Sequence, residues 1–99
     1  MEHIRSASVD RLFDAILALE DREDCYRFFE DLCTVKELLD LAQRMDVAVL
    51  LQEGANYQTI SQQVNVSTAT ISRVSKCLNY GSGGYRDALA KLKAQEGEK

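Results

Sequence analysis

The chain has no proline and no tryptophan, a single histidine at His3, and three cysteines with no CxxC pair among them. Without proline, no helix need be broken from within. An odd set of thiols at these spacings excludes both a disulfide framework and a zinc site, so Cys25, Cys33 and Cys77 are expected as small buried hydrophobes. No apolar run exceeds the five residues from Val47 to Leu51. Nothing that short spans a membrane or serves as a secretory signal, and a cytoplasmic location is expected. Catalytic equipment is also missing. No histidine lies within the expected fold, and no carboxylate pair stands apart from solvated charge. The run YGSGGY from Tyr80 to Tyr85 lacks the lysine and hydroxyl residue of a phosphate loop. No catalytic or metal-ligating residue is therefore assigned, no cofactor is certain, and an enzyme is not expected.

Acidic residues are absent over one long stretch. The net charge is -4, yet from Gly54 to Arg86 there is no Asp or Glu at all. Residues 1–53 hold 13 acids against 6 bases, whereas residues 54–99 hold 3 acids against 6 bases. An acidic body with a cationic edge excludes strong long-range attraction to a polyanion. It still permits close contact through that edge, because the local field is what phosphates meet.

What is present is helical periodicity. Ninety-nine residues with 45% apolar content suit one all-α domain with a modest core. After a mobile arm over residues 1–7, Val9, Leu12, Phe13, Ile16 and Leu17 recur at helical spacing behind Ser8 as a cap, with an end near Glu20. The acids around Asp21–Asp24 make a turn and favour the next helix start, which carries Cys25, Phe28, Phe29 and Leu32. Thr34 opens the longest helix with TVKE, a capping box. That helix runs to about Gln52, stopped by Gly54. Val35, Leu38, Leu39, Ala42, Met45 and Val49 line one face, and Leu41, Ala48 and Leu51 widen it. So much apolar circumference needs cover from several sides, so residues 8–53 are expected to dimerise. A last helix is expected over residues 85–94, through Leu89 and Leu92, with the tail beyond it fraying.

Between these elements lies YQTISQQVNVSTATISRVSK, from Tyr57 to Lys76. Ile60 and Val64 share the inner face of one helix, Ile71 and Val74 that of another, and Val66 plugs the corner between them. Asn65 tolerates the left-handed backbone of a tight helix exit, Ser61 is small enough for a close crossing, and Ser67 sits where an N-cap is wanted. Residues 57–79 thus read as a helix-turn-helix. The outer side of its second helix carries Ser67, Thr68, Ala69, Thr70, Ser72, Arg73 and Lys76. Short hydroxyls let a backbone approach phosphates and base edges, and Arg can pair bidentately with guanine. Gln58 and Thr59 in the first helix would meet the backbone of double-stranded DNA. The competing interpretations are a plain structural hairpin and, for the whole chain, a helical protein-interaction module that binds no DNA.

With LCTVKELLDLAQRMDVAVLLQEG leading into ATISR, the chain resembles the Trp repressor family, and within it the TrpR-like YerC/YecD branch. The similarity covers roughly residues 8–92 and is carried by the leucine and threonine opening the long helix, by its central Arg44, and by the ATISR run. The resemblance implies a single TrpR-like domain of about six helices, forming an intertwined homodimer with recognition helices in successive major grooves. Its implied activity is that of a sequence-specific transcriptional regulator, a repressor on a two-fold symmetric operator. The family's effector pocket maps onto Thr34, Arg44, Arg73, Val74 and Cys77. The family has glycine at position 74 and serine at 77, so tryptophan is not carried over as the ligand, and any other small-molecule effector is unidentified. Arg44 also has a local partner available in Asp40, four residues earlier.

Overall fold

The computed structural model describes residues 4–97. Its helices are α1 (Ala7–Leu17), α2 (Arg22–Leu32), α3 (Val35–Gln52), α4 (Tyr57–Val64), α5 (Thr68–Tyr80) and α6 (Gly84–Gly97), and among the described residues there is no strand. The chain divides into two compact units, residues 1–38 and residues 39–99.

In the first unit, α1 starts earlier than the sequence suggests. Ser6, not Ser8, is the N-cap, its Oγ accepting the Val9 amide at 3.1 Å. Either serine has an amide three residues on, so local chemistry alone does not choose between them. Of the residues expected as an arm, residues 1–3, with His3, lie outside the described residues, and Ala7 is helical. α1 also ends before Glu20, at Leu17. The acids downstream explain this, because Asp24 takes the Glu20 amide at 3.1 Å and Asp21 takes the Asp24 amide at 2.8 Å. A carboxylate that accepts these amides holds the turn open and caps α2 from both sides. Phe28 and Phe29 meet edge to face, centroids 5.5 Å apart. Neither α1 nor α2 contains a buried residue. Apolar side chains face solvent instead, with Leu17 81% and Val35 77% exposed.

Thr34 and Glu37 form the expected capping box: the Thr34 amide donates to Glu37 Oε1 at 2.8 Å and the Glu37 amide to Thr34 Oγ1 at 3.1 Å.

The second unit holds the core. Val47 and Ala48 from α3, Ile60 from α4, Ile71 and Val74 from α5 and Leu89 from α6 are buried together, with Met45, Val49, Leu50, Leu51, Ala55, Val64, Val66, Leu78 and Tyr85 packed around them. Ile60, Ile71, Val47 and Val74 are the large side chains fully enclosed. Burial of one such side chain contributes about 1.5–3 kcal/mol, against about 1 kcal/mol for a cap. The core, and not the caps, therefore holds the last four helices together. Gly54 ends α3 with a left-handed φ of 89°, as expected.

Two corrections concern the rest of the chain. α6 runs from Gly84 to Gly97, longer than residues 85–94, because Gln95 and Glu96 extend a helix without strain. Cys25 and Cys77 are exposed and Cys33 is half-buried, so the thiols are not the enclosed hydrophobes expected; all are free. Cys25 sits in the polar first turn of α2 and Cys77 on the outer side of α5, positions that burial of their neighbours does not reach.

Glu37 carries a pH signature. The Thr34 amide, and after it the Thr34 hydroxyl, hold its carboxyl below the ordinary glutamate range. A carboxylate with a depressed folded-state pKa contributes stability that is present above its unfolded value, about 4.3 for glutamate, and lost as pH falls through the folded value. The melting temperature should therefore fall more steeply between about pH 6 and pH 3 in the native protein than in Glu37→Gln, whose amide keeps the reach-back bond without a titrating charge. Circular-dichroism melts of the two proteins at matched pH check this.

Candidate nucleic-acid interface

The helix-turn-helix assembles from short, well-defined local choices. Asn56 caps α4, its Oδ1 accepting the Thr59 amide at 2.8 Å. α4 then leaves through Asn65, whose φ of 58° and ψ of 52° lie in the left-handed region. Asn65 is the only non-glycine residue with positive φ among the described residues. The Ser61 hydroxyl donates to the Val66 carbonyl at 3.2 Å, so this small side chain both permits the crossing and ties the turn to the helix before it. Ser67 caps α5: its Oγ accepts the Thr70 amide at 3.2 Å and lies 3.2 Å from Thr70 Oγ1.

The inner side of the pair is closed. Ile60 and Ile71 are fully buried and Val74 is 1% exposed, as the spacing predicts. The outer side is open, with Ser67, Thr68, Ala69, Ser72, Arg73 and Lys76 exposed on α5 and Gln58 on α4. Two of the proposed contact residues are placed differently. Thr70 is half-buried and its hydroxyl is shared with Ser67, and Thr59 is half-buried with its amide committed to the cap. The open face thus offers hydroxyls at the helix start, then a guanidinium and an ammonium further along, with no carboxylate on α4 or α5 to oppose phosphates.

The residues that the resemblance maps to an effector pocket differ in exposure. Thr34 is exposed, with its hydroxyl and amide in the capping box, Arg44 is half-buried on α3, and Arg73 and Cys77 are exposed. Val74 lies on the buried side of α5. Where a glycine would leave the α5 backbone bare, its branched side chain occupies the space and is itself enclosed by the core. Among the described residues no group of His, Cys, Asp and Glu could hold a metal ion, and no helix is long and apolar enough to cross a membrane.

Sequence reasoning missed Asn56, the Ser61 hydroxyl bond and Arg86. Asn56 was detectable, being a cap residue three before Thr59 and directly ahead of a helical run. Ser61 acts through a carbonyl five residues on, which spacing does not reveal. Arg86 donates from Nε to the Leu78 carbonyl at 2.9 Å and from Nη2 to the Asn79 carbonyl at 3.0 Å, a contact across a loop with no local signal.

The Trp repressor protein family matches residues 7–93. The uncharacterized protein YerC of Bacillus subtilis (strain 168) is 50% identical over 98 residues, covering 99% of this chain and 94% of that protein. Two solved structures superpose closely. One, a Staphylococcus aureus protein described as a candidate Trp repressor, is 50% identical with a TM-score of 0.90 over 93% of this chain and 92% of its own. The other, a TrpR-like protein from Eubacterium eligens ATCC 27750, is 44% identical with a TM-score of 0.91 over 94% and 96%.

The left-handed exit at Asn65 yields a test of the turn. A β-branched residue there meets the steric cost of that conformation, about 1–2 kcal/mol, whereas glycine meets none. Asn65→Val should lower unfolding stability in urea by that order, and Asn65→Gly should leave it equal or higher.

Proposed function

The chain belongs to the Trp repressor family, and we propose that it acts as a sequence-specific DNA-binding transcriptional regulator, a cytoplasmic repressor working as a homodimer on a two-fold symmetric operator. The observation that carries this is the division of α5 into a sealed inner side, Ile71 and Val74, and an open outer side, Thr68, Ala69, Ser72, Arg73 and Lys76, with no acidic residue in the helix. A surface helix serving structure alone would more often carry Glu and Lys on such a face than this run of Thr, Ser and Arg. In the proposed complex Ser67, Thr68 and Ala69 at the start of α5 approach base edges, and Arg73 and Lys76 reach bases or phosphates. Ser72 joins that outer row. Gln58 meets the DNA backbone from α4. Thr70 acts mainly at the start of α5, where its hydroxyl lies against Ser67 Oγ, and Thr59 is half-buried beside the Asn56 cap that takes its amide.

The homodimer is supported by the first unit, which has no enclosed residue among its described residues while Phe13, Leu17, Leu32 and Val35 are exposed. Apolar surface of that extent on so short a segment calls for a protein partner, and a second copy supplies an isologous one. Two copies also double the phosphate contacts available to a chain of net charge -4, which a single copy would find hard to hold on DNA.

Two experiments test this. Selection from a random duplex library should enrich a palindromic site, and in that complex Arg73→Ala should lose about 1–3 kcal/mol of specific binding if it pairs with guanine. A folded wild-type protein that enriches no duplex would leave the helical interaction module as the better interpretation. Separately, Val35→Asp combined with Leu17→Asp, both at side chains exposed in the single chain, should shift sedimentation equilibrium from dimer to monomer. A wild-type protein that sediments as a stable monomer would defeat the dimer.

A further inference from the structure

We propose that Arg86 is a positioning residue for the nucleic-acid interface: from α6 it fastens the carboxy-terminal end of α5 and so sets where the DNA-facing side chains stand. The inference rests on α5 being the recognition helix.

The last carbonyls of any helix have no partner within it, and they carry the negative end of its dipole. In α5 these carbonyls are taken up one after another. Cys77 O accepts the Gly81 amide at 2.8 Å. Leu78 O and Asn79 O, the next two, accept Arg86 Nε at 2.9 Å and Nη2 at 3.0 Å. A planar guanidinium can serve two neighbouring carbonyls at once, and its charge lies where the dipole favours a cation. A lysine could satisfy one of them at a time.

The link between the helices has little else to fix it. Residues 81–84 are Gly-Ser-Gly-Gly, and Gly83 has a φ of 92°. A Cβ on Gly81 would collide with the Cys77 carbonyl, so glycine is required where α5 ends; Gly84 has open space around it and adds freedom. Two attachments therefore join α6 to α5. One is apolar, through buried Leu89 and half-buried Tyr85, which is tolerant of small rotations. The other is the Arg86 fork, which is directional. Two of the Arg86 donors are aimed at α5 carbonyls, which gives this residue of the acid-free stretch a task inside the fold.

The two roles separate in a salt titration. With the full chain and the duplex enriched by the wild-type protein, Arg86→Gln should raise Kd about three- to tenfold, measured where circular dichroism shows every variant folded. The slope of log affinity against log salt should stay at its wild-type value, and Arg86→Lys should recover part of the loss. Amide exchange of Gly81 and the last turn of α5 should quicken in Arg86→Gln. A slope reduced by about one would assign Arg86 to a phosphate instead, and an unchanged Kd would show that the fork positions nothing; either result overturns the proposal. Failure of the wild-type protein to enrich any duplex would remove the DNA function and this role with it, whereas an enriched duplex with an indifferent Arg86→Gln would remove this role alone.

Discussion

Three branched side chains, Ile60, Ile71 and Val74, are shut into one apolar cluster, and the presentation of α5 follows from that enclosure. Each prevents its helix from rolling, because a roll would carry an enclosed side chain into water at a cost of about 1.5–3 kcal/mol. Surface hydrogen bonds at Asn56, Ser61 and Ser67 refine the helix starts and the turn, but each is exposed or half-exposed and contributes less. The outer face of α5 is therefore free to be polar without endangering the fold. Its composition is not dictated by what holds the helix in place.

Most of this was readable in the chain because it is local. Helical spacing found the inner residues, the TVKE pattern found the cap of α3, and Asn65 and Gly54 marked the two left-handed exits, since each depends on residues within one turn. The misplacements have a common cause. Ser6 and Ser8 are equivalent as caps to any rule that looks only three residues ahead, and the end of α1 depends on carboxylates of the following helix. Burial of the cysteines was inferred from residue type, whereas exposure depends on which side of each helix faces a neighbour. The Arg86 fork spans seven and eight residues across a glycine-rich link, and no periodicity encodes a contact of that kind. In the site, the outward residues of α5 were legible from the inner ones by subtraction. The private bond between Ser67 and Thr70 was not.

The two units solve opposite problems. Residues 39–99 contain every buried side chain of the described residues, while α1 and α2 contain none. An ordinary small domain encloses part of its apolar surface, whereas α1 and α2 leave Phe13, Leu17 and Leu32 exposed. The acids are concentrated there too, with 13 of them in residues 1–53. They sit on a part of the chain whose apolar side chains are exposed, apart from the acid-free stretch that carries α4 and α5.

That separation bears on how binding would be achieved. With a net charge of -4, attraction at distances beyond a Debye length, about 8 Å at physiological salt, gives no help. Affinity must come from contacts made after close approach: short hydroxyls that allow the backbone near, an arginine able to grip a base edge, and the fixed orientation of the helix that carries them. Orientation then matters more than in a strongly basic protein, where a diffuse field tolerates misplacement. A chain that depends on a few directional contacts has reason to tie down both ends of its recognition helix. Here the amino end is tied by Ser67 and the carboxy end by Arg86. Val74 belongs to the same logic, because a side chain enclosed by the core holds the middle of α5 from within the fold.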